Sequence, residues 1–268
     1  KIMSFLPIFI LGIIQGITEF LPISSSGHLV VAGKFLDFKQ QSLLIDVSLH
    51  LGTLGAVIVY FSRETKILLM NIHCIFQNKS DEQTLFTRHI ITATAPIVII
   101  GGIIFLFGVA DIFRNLQIIA LATILFGILL YFADVKSNDG IKLKDLTMQK
   151  SFLIGIFQIL SIIPGTSRAG IVYTGSRFLN LNRVEAARFS MILSIPVIIL
   201  SSAIPIIQLL KTPTQEHLVL SIIGFIISFI VAYFSIDLLL KWLKSHSMTP
   251  FVIYRIILGS ILLYITLQ

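Results

Sequence analysis

Apolar residues run along this chain in long blocks separated by short polar stretches. Segments 90–110, 116–133, 189–210 and 218–236 carry no charged side chain. Each is near the ~20 residues a helix needs to cross the hydrocarbon core of a bilayer. Apolar runs of this length, with no alternation at period two, exclude a β-barrel. The pattern predicts six full spans, at about 43–62, 89–110, 116–134, 186–210, 218–241 and 249–267.

Two further apolar segments are interrupted. Segment 5–36 is broken by Pro22 and the Ser24–Ser25–Ser26–Gly27 run, and segment 151–180 by IPGTSRAG at 163–170. Proline removes a backbone donor and opposes a continuing helix, and glycine loosens the adjoining turn. Each is either one kinked span or a helical hairpin that enters and leaves on the same side. Loop charge favours two hairpins. The loops at 62–88, 135–150, 177–188 and 241–247 then share one side and hold thirteen Lys and Arg, against four in 34–42, 111–115 and 211–217. That asymmetry puts the rich loops in the cytoplasm.

The broken segments also match each other. Gly12, Ile13 and Gln15 align with Gly155, Ile156 and Gln158, and Pro22, Ser25, Val30 and Gly33 with Pro164, Ser167, Val172 and Gly175. Each is followed by three spans, an odd number, so the second unit starts on the opposite side. The expected fold is an all-α polytopic membrane protein. It forms a single transmembrane domain of two inverted-topology repeats, 1–134 and 135–268, with six spanning helices and two re-entrant helical hairpins. Sites in such folds lie where the interrupted segments meet near mid-membrane.

Composition adds little to this. The residues are 56% hydrophobic and 12% charged, about half the charged share of a soluble domain. The net charge of +7 reflects cytoplasmic loops rather than nucleic-acid binding. A single cysteine, Cys74, rules out an internal disulfide. The apolar run from Ile2 continues straight into functional-looking polar residues, so no cleavable signal is expected.

Backbone that leaves a helix inside a bilayer must face protein or a wet cavity. Ser24, Ser25, Ser26 and Gly27, and Gly165, Thr166 and Ser167, each lead into a new helix, whose free N–H groups and positive dipole end suit phosphate. Arg168 adds a planar donor fork that grips two phosphate oxygens. Glu19 and His28 supply a carboxylate and an imidazole, and Gln15 shares a helical face with Glu19. These groups together point to phosphoryl transfer, where positioning and charge neutralisation dominate. Each also has a plainer reading. The serines cap helices or permit close packing, His28 bonds a carbonyl, and Arg168 neutralises Glu19. Asp46 and His50, four apart, read as structural or as lining the cavity. Arg255 either snorkels or pairs with a carbonyl. Interrupted helices in an inverted repeat are equally how carriers bind anions, so a transporter of a phosphorylated lipid is the rival reading. No Walker loop, zinc spacing or dinucleotide fingerprint is present.

At these residues the chain resembles a known family, the integral-membrane undecaprenyl-diphosphate phosphatases of the bacitracin-resistance type. QGITEFLPISSSGH (15–28), HLGTLGAV (50–57), PGTSRAG (164–170) and FVIYR (251–255) carry the resemblance. It implies hydrolysis of undecaprenyl diphosphate to undecaprenyl phosphate and inorganic phosphate, recycling the lipid carrier for peptidoglycan and conferring bacitracin resistance. It further implies a bacterial inner-membrane enzyme with its site facing the periplasm, a divalent cation (Mg²⁺ or Ca²⁺) and a homodimer. By motif, Glu19 corresponds to the second acid of the first signature, Ser25 to its nucleophile and His28 to its histidine. Ser167 and Arg168 correspond to the phosphate-binding pair. The first signature often opens on Glu where this chain has Gln15. The second often carries Ser and Thr where this chain has Ala169 and Val172, with Thr166 and Thr174 nearby to compensate. The implied cation falls to Glu19, with Gln15 through its carbonyl.

Overall fold

The computed structural model describes residues 5–35, 43–74, 77, 81–108, 112–113, 115–136, 140–209 and 215–267. The Lys- and Arg-poor loops used in the charge argument lie largely outside these residues, and so do the side chains of Val30 and Gly33. The described residues form eleven α-helices and no β-strand. They are α1 (Phe5–Thr18), α2 (Ser25–Phe35), α3 (Leu43–Tyr60), α4 (Ser62–Asn71), α5 (Glu82–Leu106), α6 (Leu116–Lys136), α7 (Met148–Ile159), α8 (Arg168–Phe178), α9 (Arg183–Leu209), α10 (Gln215–Trp242) and α11 (Thr249–Leu267). The chain is an all-α, multi-pass membrane protein.

Helices α5, α6, α9, α10 and α11 are long and apolar enough to cross a bilayer, and α3 becomes the sixth when taken with α4. At 1.5 Å per residue α3 alone reaches about 27 Å. The six expected spans are therefore all helices. Two boundaries differ from expectation. Helix α5 begins at Glu82 rather than 89, because Asp81 caps it: its carboxylate accepts from the Thr84 backbone N–H at 3.1 Å and from the Thr84 hydroxyl at 2.8 Å. The segment after α3, expected as loop, holds α4, which turns by 93° from α3.

Close backbone approach builds the bundle. A side chain at Gly52 would stand 2.4 Å from the Phe225 carbonyl oxygen of α10, and one at Gly259 would stand 2.9 Å from the Ala120 carbonyl oxygen of α6. Small residues at crossings let helices approach where lipid removes the hydrophobic drive. Helix α3 thus packs on α10 and α11 on α6, while α1 packs on α10 and α7 on α5.

The interrupted segments are hairpins. Helix α1 packs on α2, and α7 on α8, whereas the halves of a kinked span would diverge. Both breaks use the same local device. Ser24 and Ser167 take positive φ, 73° and 68°, and each hydroxyl accepts the backbone N–H three residues on, Gly27 at 3.4 Å and Gly170 at 3.1 Å. The residue matching Ser167 is therefore Ser24, not Ser25, and the spacing of 143 that relates Gln15 to Gln158 continues unbroken through the tips. Both glutamines are fully buried.

A polar knot anchors the second hairpin. Buried Asp134, at the end of α6, accepts from Tyr173 Oη of α8 at 2.6 Å, from Arg183 Nε of α9 at 2.9 Å and from the Met248 N–H before α11 at 2.9 Å. A charge removed from water needs this many partners to be tolerated.

Candidate active site

Glu19 follows the last residue of α1, where the backbone leaves the helix, and is 7% exposed. One carboxylate oxygen, Oε1, accepts from Arg168 Nη2 at 2.9 Å. The other, Oε2, accepts from Ser25 Oγ at 2.9 Å and from Gln15 Nε2 at 2.9 Å. The two hairpins, 149 residues apart in sequence at this contact, therefore meet side chain to side chain. Arg168 opens α8 and also donates Nη1 to the Ser190 carbonyl of α9 at 3.4 Å. Its guanidinium has five donors, and these two bonds leave others for a ligand.

Ser25 opens α2 and gives its hydroxyl proton to Glu19, so the carboxylate, not His28, is the acceptor beside it. Ser24 and Ser167 are buried caps, while Ser26 is exposed with its hydroxyl 3.3 Å from Ser24 Oγ. Gly165 has φ +94°, and a side chain there would meet the Ile119 carbonyl oxygen at 2.4 Å. Only glycine suits that turn. Thr166 is fully buried, its hydroxyl without a protein partner. Apart from Ser26, the tips are packed among protein rather than open to lipid. His28 lies one turn into α2, with Nδ1 2.7 Å from the Ser24 carbonyl oxygen and Nε2 2.5 Å from Tyr254 Oη.

Three groups join the site that the motifs did not assign to it. His50 of α3 brings Nδ1 to 2.9 Å from Gln15 Nε2 and 3.5 Å from Glu19 Oε2. The i,i+4 spacing with Asp46 left a structural or a cavity-lining role open, and the structure places His50 against Gln15 and Glu19. Tyr254 holds His28. Arg255, fully buried, does not snorkel. Its Nη1 donates to the Pro22 carbonyl at 3.0 Å, its Nη2 to the Gly165 and Thr166 carbonyls at 2.9 and 3.0 Å, and its Nε to the Thr123 carbonyl of α6 at 3.1 Å. One guanidinium thus ties both tips to α6 and α11 and gives the Pro22, Gly165 and Thr166 carbonyls of the tips a donor outside any helix. The one sequence signal for it was a lone Arg in an apolar span.

Among the described residues no three His, Cys, Asp or Glu side chains gather around one point. Gln15 spends its amide nitrogen on Glu19 and His50, and its carbonyl oxygen is buried without a partner. The Glu19 carboxylate and, once the amide turns over, the orphaned Gln15 oxygen are two hard oxygen donors on adjacent side chains. They fit a divalent cation whose remaining ligands come from phosphate and water, as is usual for Mg²⁺. They do not make a protein-only cage.

Known proteins match this chain over nearly its whole length. The profile of "Bacitracin resistance protein BacA" covers residues 8–261. An "Undecaprenyl-diphosphatase" of Alteromonas mediterranea is 40% identical over 98% of this chain and 98% of its own. Proteins of the same name from Teredinibacter turnerae and Jannaschia sp. are 39% and 38% identical, over 97% and 98% of this chain and 98% and 99% of theirs. The chain belongs to the bacitracin resistance protein BacA family.

Proposed function

We infer that this chain is an undecaprenyl-diphosphate phosphatase, releasing inorganic phosphate and returning undecaprenyl phosphate to peptidoglycan synthesis, with bacitracin resistance as the consequence. The single observation that carries the reading is the Arg168–Glu19–Ser25 chain of contacts across the two hairpin tips, 2.9 Å at each link. It sets a phosphate-gripping cation, an acceptor and a hydroxyl side by side where the backbone leaves helix, which is the equipment of phosphoryl transfer.

The polyprenyl tail lies in the bilayer and the diphosphate enters between the tips. Arg168, with the α2 and α8 N-termini at Ser26, Gly27 and Ser167, holds its oxygens. Ser25 Oγ attacks the terminal phosphorus and passes its proton to Glu19 Oε2 as the anhydride P–O bond breaks. The electron pair leaves on undecaprenyl phosphate. Water then attacks the phosphoserine, giving a proton to His28, and Ser25 recovers its own from Glu19. Glu19 and Gln15 Oε1 are the residues that would hold Mg²⁺ or Ca²⁺, which supplies charge neutralisation at the phosphoryl oxygens.

The orientation proposed has the Lys- and Arg-rich loops in the cytoplasm of a bacterial inner membrane and the site opening to the periplasm. Shared φ, capping and glutamine burial at a spacing of 143 support the inverted repeat. Phosphate release from a polyprenyl diphosphate by the purified protein in detergent tests the function. Wild type turns over. Ser25→Ala and Arg168→Lys each lose more than about 100-fold, the order of magnitude for an activated nucleophile or a charge-stabilising donor. Binding without release would make the protein a carrier, and full turnover by Ser25→Ala would replace serine attack with direct attack by water.

A further inference from the structure

His28 has both ring nitrogens engaged. Its Nδ1 lies 2.7 Å from the Ser24 carbonyl oxygen. A carbonyl only accepts, so Nδ1 carries the proton, and Nε2 of the neutral ring is left as the one basic atom. The Tyr254 hydroxyl, 2.5 Å away, donates to it. The two rings are nearly parallel, 7° apart with centroids at 5.6 Å, so the phenol approaches along the plane of the imidazole. Tyr254 is itself held in place. The next residue, Arg255, is locked to the Pro22, Gly165, Thr166 and Thr123 carbonyls, which fixes the height and rotation of α11 at this level. The helix that staples the two tips together thus also sets the direction of the imidazole.

We propose that Tyr254 is a positioning residue for the hydrolytic step, holding the His28 ring, whose Nδ1–H is set by the Ser24 carbonyl, at the rotation that turns its Nε2 lone pair toward the place where the attacking water sits. The water takes over the hydrogen bond that the phenol makes in the resting site. Its O–H proton passes to Nε2 while its oxygen bonds phosphorus and the Ser25 Oγ–P bond breaks. This rests on His28 being the base in the reading given above. It adds the reason the imidazole is competent: the Ser24 carbonyl at the start of α2 selects the tautomer, and the Tyr254 hydroxyl, from α11, holds the other end of the ring.

The test uses the full chain in detergent. Tyr254→Phe keeps the ring and removes only the hydroxyl. It lowers kcat about tenfold, a part of the roughly 10²–10⁴ that a general base contributes, with KM within about twofold and an unchanged Tm. In a His28→Gln background the same change costs nothing further. Histidine ¹⁵N NMR, assigned through His28→Gln, shows His28 as the Nδ1–H tautomer in wild type and the same tautomer with a shifted Nε2 resonance in Tyr254→Phe, where the phenol's bond is gone. An unaltered kcat, an equal fold loss in both backgrounds, a loss that tracks a falling Tm, or an Nε2–H ring in wild type each overturns the proposal. If His28→Gln itself keeps full turnover, the base assignment fails, and the Nε2 shift in Tyr254→Phe still decides whether Tyr254 governs the ring.

Discussion

Glu19 is surrounded more completely than its place in an apolar run implies. Arg168 neutralises one oxygen, and Ser25, Gln15 and His50 crowd the other. Removing the Glu19 charge leaves Arg168 uncompensated in any variant, at roughly 3–5 kcal/mol, but Glu19→Gln keeps the volume and a carbonyl acceptor for the guanidinium and so disturbs less than truncation. Gln15 gives the sharper experiment. Its amide nitrogen now stands 2.9 Å from Glu19 Oε2. Gln15→Glu puts a second carboxylate there, and two like charges at that distance need a shared proton or a cation between them. Half-maximal turnover in a Mg²⁺ titration should then move to lower concentration by about tenfold, with activity in chelator falling further below wild type. An unchanged titration would mean that no cation sits between residues 15 and 19. The motif residues themselves were legible in the sequence because polar side chains are costly in a span and so mark themselves. Their contacts were not. Glu19 and Arg168 were a possible pair, but Ser25 bonding to Glu19 rather than His28 depends on the φ of +73° at Ser24.

At the scale of elements, the two hairpins were readable from proline, glycine and serine inside otherwise apolar runs, and loop charge chose hairpin over kink. The clamp that fixes them was not. Arg255 bonds only backbone carbonyls, which carry no side-chain identity and leave no trace in a motif. Helix α4 escaped for the opposite reason, since a short charged segment reads as loop until the turn at Phe61 is known. Arg255→Lys keeps the charge but loses the planar fork that reaches three elements at once. The Pro22 and Thr166 carbonyls lose their guanidinium donor, at ~1–3 kcal/mol for each left unpaired, while Gly165 keeps the Thr123 hydroxyl at 3.4 Å. Thermal unfolding in detergent should show a lower Tm, and phosphate release should fall more than about tenfold, since a displacement of positioned groups by about 1 Å is worth up to about 10². A variant with full activity and wild-type Tm would show that the tips hold their register without the clamp.

For the whole molecule, the proposed orientation is open to direct test. Cys74 is the one cysteine and is buried, so Cys74→Ser provides a clean background for single-cysteine labelling. Cysteines at Lys142 and Lys244 should react with a membrane-impermeant maleimide only after the cytoplasmic side is opened, and one at Asn115 should react in intact cells. Labelling of Lys142 and Asn115 sites from the same side would remove the inverted repeat. The arrangement of the clamp also has a consequence for biogenesis. Every residue proposed to touch phosphate lies at or before Arg168, yet the tips are brought into register by α11, which leaves the ribosome after every other described helix. Chains arrested before residue 249 would carry all the chemistry and have no assembled centre. Commitment to activity is thereby deferred to the insertion of α11, and a product truncated before it stays inert toward the lipid carrier.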